Sequence, residues 1–144
     1  MDYTYKAYYK CLPEELKREI INLWVSEGVL TLEKAINRVD DVVLVGFDPN
    51  NKVCGVTTVY LEKLLDGYYY FFRMFIKESE RGKIKLKGSK LTHEFLKDFD
   101  HPLKPKGVVA VAENVKITNR VMKSQGWSYF GKNEKNQDVY YVLF

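Results

Sequence analysis

A mixed α/β fold, with one mostly antiparallel central sheet flanked by helices, is the architecture this 144-residue sequence predicts. Three observations predict it. The length is that of about one domain, so residues 1–144 are read as a single unit. A hydrophobic share of 46% is enough for a core without disulfide or metal staples. The order of periodic segments runs from helices to antiparallel strands, a strand-loop-helix unit, a strand-helix unit and a closing hairpin, which argues a layered α/β arrangement.

Taken in order, Tyr3 to Tyr9 is Tyr-rich with interspersed Lys and reads as an edge strand. Pro13 opens a helix, with Glu14 and Glu15 where the helix dipole favours acids. Leu16, Ile20, Leu23 and Trp24 give that helix one apolar face, and Gly28 stops it. Thr31 caps a second, short helix whose apolar side is Leu32, Ala35, Ile36 and Val39. Val42 to Val45 and Val53 to Leu61 form a hairpin around the turn Asp48-Pro49-Asn50-Asn51. After Asp66-Gly67, Tyr68 to Ile76 is apolar on both faces, as expected of a central strand.

A charged segment from Lys77 to Lys90 leads into a helix from Ser89 to about Phe99, with Leu91, Phe95, Leu96 and Phe99 as its buried face. Pro102 and Pro105 break the chain before the strand Val108–Val111. Ile117 to Ser124 is a helix closed by Gly126. Trp127–Phe130 and Val139–Phe144 are strands around the polar turn Asn133–Asp138. The apolar run Tyr140–Phe144 suits an inner sheet position and equally a strand paired across a homodimer.

Composition narrows the function. A net charge of +4 permits an anionic ligand but lacks the clustered basic face of a nucleic-acid binder. Cys11, Cys54, His93 and His101 have no metal-ligand spacing, so two free thiols and no metal are expected. No signal-like leader and no membrane-length apolar run appears, and a soluble cytoplasmic protein is the expectation.

The unit with chemical content is strand, basic glycine loop and helix start. Helix N-termini offer unpaired N–H groups and partial positive charge to phosphates, and glycines allow close backbone approach. From Arg81 to Lys90 the loop holds one Arg, four Lys and two Gly, with Ser89 placed to cap the helix. It reads either as an anion-binding loop or as a solvated basic turn.

The run Arg73-Met74-Phe75-Ile76-Lys77-Glu78-Ser79-Glu80-Arg81-Gly82-Lys83 resembles the fourth strand and loop entry of the GNAT superfamily of acyl-CoA N-acyltransferases, and Gly88-Ser89-Lys90-Leu91 resembles the helix start that follows. A second block, Val108 to Trp127, is similar to the family's later strand-helix segment, in register over Thr118-Asn119-Arg120-Val121-Met122-Lys123-Ser124-Gln125-Gly126-Trp127. The resemblance covers Leu16 to Phe144. Between the blocks, Ile84-Lys85-Leu86-Lys87 stands where family members have a shorter stretch with a further Gly. Met122 stands where many members carry a Tyr that protonates the leaving thiolate, and Asn114 lies one place before the family position.

The resemblance implies a GNAT-like acyl-CoA N-acyltransferase fold and transfer of an acetyl group from acetyl-CoA to an amine acceptor by direct attack. It implies a cofactor site at Met74, Phe75, Ile76, Arg81, Gly82, Lys83, Lys87, Gly88, Ser89 and Asn114. Asn114, Thr118 and Glu78 are its catalytic candidates, with Glu62 and Glu113 as further carboxylates and His93 read as a helix-surface residue. The altered loop and Met122 leave a second reading open, a GNAT-fold binding or structural protein without catalysis, of a kind found in bacteriophages.

Overall fold

A computed structural model describes residues 2–64, 66–83, 88–112 and 119–144. Among these residues seven strands form one sheet in the order β1-β2-β3-β4-β5-β7-β6: β1 Thr4–Ala7, β2 Val42–Phe47, β3 Val53–Leu64, β4 Gly67–Ile76, β5 Gly107–Ala112, β6 Ser128–Lys132 and β7 Asp138–Leu143. The helices are α1 Glu14–Ser26, α2 Leu32–Arg38, α3 Gly88–Asp98 and α4 Asn119–Ser124. The β4–β5 ladder is parallel, while β1–β2, β2–β3, β5–β7 and β6–β7 are antiparallel. The chain divides into two compact units. One comprises the residues up to Val59 together with Arg73–Thr92, and the other comprises Tyr60–Phe72 with His93–Phe144.

In the first unit, α1 seats Ile20 and Trp24 in a core shared with Ala35, Val39, Val42, Val45, Phe47, Val53 and Val56. Gly28 ends α1 at φ +70°: its N–H reaches the Val25 carbonyl at 3.1 Å and Val29 N–H reaches that of Trp24 at 3.0 Å, a Schellman closure that requires the left-handed residue. Thr31 caps α2 by accepting from Lys34 N–H at 3.3 Å. The expected apolar side of α2 is corrected in part. Ala35 and Val39 are buried, but Leu32 and Ile36 are 57% and 51% exposed. A two-turn helix presents one narrow stripe to the core, and the Leu32–Ile36 line falls on its flank.

The β2–β3 hairpin turns on Asp48, whose carboxylate accepts from Asn50 and Lys52 N–H at 2.8 and 2.9 Å, with Asn51 left-handed. Burial on both faces belongs to β2 and to the first seven residues of β3, and not to β4 as the sequence pattern predicts. Although β4 is fourth of seven, Tyr69 and Tyr70 are its buried residues and Met74 is 39% exposed.

In the second unit, β7 lies between β5 and β6, so Tyr140 takes the inner sheet position and is fully buried. The edge is β6, where Phe130 is exposed. Gly126 closes α4 as expected, its N–H bonding Lys123 and Trp127 N–H bonding Met122, each at 3.1 Å. Trp127 then packs on Phe72 with ring centroids 6.0 Å apart.

Candidate functional site

The β4–β5 ladder pairs Tyr70, Phe71 and Phe72 with Val108, Val109 and Ala110. Among the described residues it goes no further, while β4 runs on as strand through Arg73, Met74, Phe75 and Ile76. Lys77 N–H then bonds the Cys54 carbonyl at 2.8 Å, and Glu78–Glu80 form a single 3-10 turn.

That turn is tied down at several points. Glu78 N–H donates to the Glu27 carboxylate at 3.0 Å. The Tyr3 hydroxyl donates to the Glu80 carboxylate, which pushes the phenol up to about 12. Arg81 folds back so that its Nε donates to the Ile76 carbonyl at 3.2 Å, and Lys83 N–H bonds the Glu80 carbonyl at 3.1 Å. Gly82 stands between them at φ +85°, a conformation that disfavours a side chain. Arg81, Gly82 and Lys83 are all exposed.

The start of α3 is packed tightly against strands of the same unit. A Cβ on Gly88 would lie 3.0 Å from Met74 Sδ, 3.2 Å from Thr57 Cγ2 and 3.7 Å from the Tyr5 hydroxyl oxygen. Glycine at this point lets the helix end approach the sheet more closely than any other residue would allow. Ser89 is corrected: α3 begins at Gly88, so Ser89 is not the cap but a buried residue of the first turn. The buried line of α3 is Ser89, Thr92 and Leu96, with Leu91, Phe95 and Phe99 only half-buried, because the side chains facing the sheet fall at the three- and four-residue spacing from Ser89.

Two buried hydroxyls, which the sequence reading passes over, hold this arrangement. Thr57 Oγ1 accepts from Leu44 N–H at 3.1 Å and lies 2.8 Å from Thr92 Oγ1. Both side chains are fully buried. Leu44 follows an irregularity in the β2–β3 register, which leaves its N–H to a side chain. The available sequence signal is a pair of threonines in a Val-rich strand and a Thr in line with Leu96.

The structure gathers Met74, Phe75, Ile76, Arg81, Gly82, Lys83, Gly88 and Ser89 in the first unit. Lys87, Glu113, Asn114 and Thr118 lie outside the described residues. Glu78 is exposed on its turn and Glu62 is exposed at the end of β3 in the second unit. His93 is half-buried on α3, its ring 5.3 Å from that of Phe144 and its Nε2 3.4 Å from the Leu143 carbonyl. Cys54 is buried and its thiol is pushed up to about 11 by that burial. Among the described residues no group of His, Cys, Asp or Glu could hold a metal ion, and no helix is long and apolar enough to cross a membrane.

The same architecture recurs in solved acetyltransferases. Spermidine N-acetyltransferase from Vibrio cholerae, in complex with CoA and spermine, superposes with a TM-score of 0.60 at 19% identity, over 99% of this chain and 95% of that one. An acetyltransferase of the GNAT family from Streptococcus pneumoniae gives 0.61 at 10% identity, over 99% and 100%. A chain of the NatC complex bound to Gag peptide and CoA gives 0.64 at 12% identity, over 100% and 98%. The fold is that of the GNAT acetyltransferases. No family model matches the sequence, and no curated protein matches it either. The GNAT likeness is therefore one of backbone arrangement.

Proposed function

We propose that this chain is an N-acetyltransferase that moves the acetyl group of acetyl-CoA to an amine. The observation that carries the reading is the run Arg73–Ile76. It continues as strand past its last rung with β5 and leads through Arg81 and Gly82 to a helix start pressed close by Gly88. Strand N–H groups at Met74, Phe75 and Ile76 suit the amide groups of an extended pantetheine arm and the thioester oxygen, an oxyanion-type role. The Gly88 end of α3, with Arg81, Gly82, Lys83 and Ser89, suits the pyrophosphate, through the partial positive charge of a helix start and the nearby basic side chains. Lys87 and Asn114 join this set by resemblance.

Acetyl-CoA is a substrate here and supplies the activated acyl group. The chain's part is to orient the thioester and to accept a proton from the acceptor ammonium. Glu78, two residues beyond the end of β4, is the described carboxylate assigned to that proton, directly or through water. By resemblance, Thr118 stands where some family members carry a Ser near the thiol. The acceptor is an amine. The CoA-bound neighbours pair with spermine in one case and a peptide in the other, which makes polyamines and peptide amines the first acceptors to assay.

The test is thermal unfolding with and without millimolar acetyl-CoA, with adenosine diphosphate as control. Ligand at 100 times its dissociation constant stabilises by about 2.7 kcal/mol, a rise of several degrees for a domain of this size. A rise specific to acetyl-CoA supports the reading. A cooperative transition that acetyl-CoA leaves unmoved refutes it and makes the non-catalytic GNAT-fold reading the working one.

A further inference from the structure

We infer that the Thr57–Thr92 hydroxyl pair is the positioning device for the cofactor end of α3, so that coenzyme A affinity depends on two buried side chains that touch no ligand. This rests on the proposed function and adds residues to it. Thr57 meets α3 in two ways. Its methyl group faces Gly88, where a Cβ would come within 3.2 Å, and its hydroxyl oxygen is 2.8 Å from that of Thr92, four residues further along the helix. The same oxygen accepts Leu44 N–H at 3.1 Å, so its orientation is set by the β2 backbone.

A hydroxyl has one proton and two acceptor sites. Thr57 Oγ1 uses one acceptor site on Leu44 and reaches Thr92 with what remains. Full burial of both side chains removes water as a substitute partner. An apolar contact at this place would tolerate a helix that slides or rotates on the sheet. A hydrogen bond tolerates only a few tenths of an ångström and a limited range of angle. The pair therefore fixes the height and rotation of the first turn of α3, and with them the direction of the N–H groups of Gly88 to Leu91.

The test is isothermal titration of coenzyme A into the full chain and its variants. T92V removes one hydroxyl, keeps the volume and leaves Thr57 bonded to Leu44. T57V keeps the methyl facing Gly88 and removes the hydroxyl. A hydrogen bond of ordinary strength predicts Kd about tenfold weaker for T92V. T92S, which restores the hydroxyl, is expected within about threefold of the parent, and T57V/T92V no weaker than T57V because the first change already breaks the link. Should T57V not fold, since it also orphans a buried N–H, T92V against T92S carries the test alone. Parental Kd in T92V, with only the unfolding temperature lowered, overturns the inference and leaves the pair as core packing. An unaltered chain that does not bind coenzyme A overturns the proposed function itself, and this inference falls with it.

Discussion

Gly88→Val tests the packing on which the site depends. One Cβ at this position lies 3.0 Å from Met74 Sδ and 3.2 Å from Thr57 Cγ2, inside the ~3.5–4.0 Å optimum between carbon atoms. Met74 is 39% exposed and can swing its thioether aside. Thr57 cannot rotate without losing Leu44 N–H and Thr92. For alanine, overpacking of ~1–3 kcal/mol is partly offset by helix propensity of up to ~1 kcal/mol. Valine adds two further methyl groups and loses most of that offset, so about 2–3 kcal/mol is expected. For 144 residues at ~2.1 cal/mol/K each, unfolding entropy is ~300 cal/mol/K, and the unfolding midpoint should fall by roughly 7–10 °C. Differential scanning calorimetry reads this directly. Adding Met74→Ala should recover part of the loss, because the two changes share a contact. A fall of less than about 2 °C, with strictly additive effects, would refute the close seating of α3.

Two further outcomes follow from other contacts. Gly107→Ala would put its Cβ 2.4 Å from the Val142 carbonyl oxygen and 3.0 Å from Leu143 Cα. Both are backbone atoms of β7, so the strands must part, and a loss of at least ~3 kcal/mol is expected. An unfolding midpoint within about 3 °C of the parent would contradict it. The second outcome concerns the thiols. With Cys11 exposed and the Cys54 thiol raised to about 11, only one cysteine should react promptly with Ellman's reagent at pH 8 in the native protein, and the second only after denaturation. Prompt reaction of both would show that Cys54 is not sealed in the first unit.

Much of the local structure was legible because its causes are local. The Thr31 cap, the Asp48 turn and the Gly28 and Gly126 helix ends each follow from side chains bonding their own backbone neighbours, or from glycine entering left-handed φ. Of the candidate loop, the left-handed Gly82 and the glycine at the start of α3 lie among the described residues, and residues 84–87 lie outside them. Ser89 was misplaced because a serine before an apolar run satisfies the capping pattern wherever the helix begins, and Ser89 already lies within α3. Leu32 and Ile36 were misassigned because helical spacing says which residues share a stripe and not which stripe meets the core. The partners of His93, Leu143 and Phe144, were not legible because they lie about fifty residues away.

By itself the sequence determined element order, most element boundaries and the resemblance to the GNAT superfamily, since these depend on periodicity, capping and motif spacing within short windows. Tertiary structure decided which strand is buried on both faces, that β7 is internal and β6 the edge, and that Gly88, Met74, Thr57 and Thr92 converge. The physical reason is the range of the interactions. A cap or a turn is closed by residues two to five apart, whereas a hydroxyl pair between residues 57 and 92 exists only once a strand and a helix have packed together.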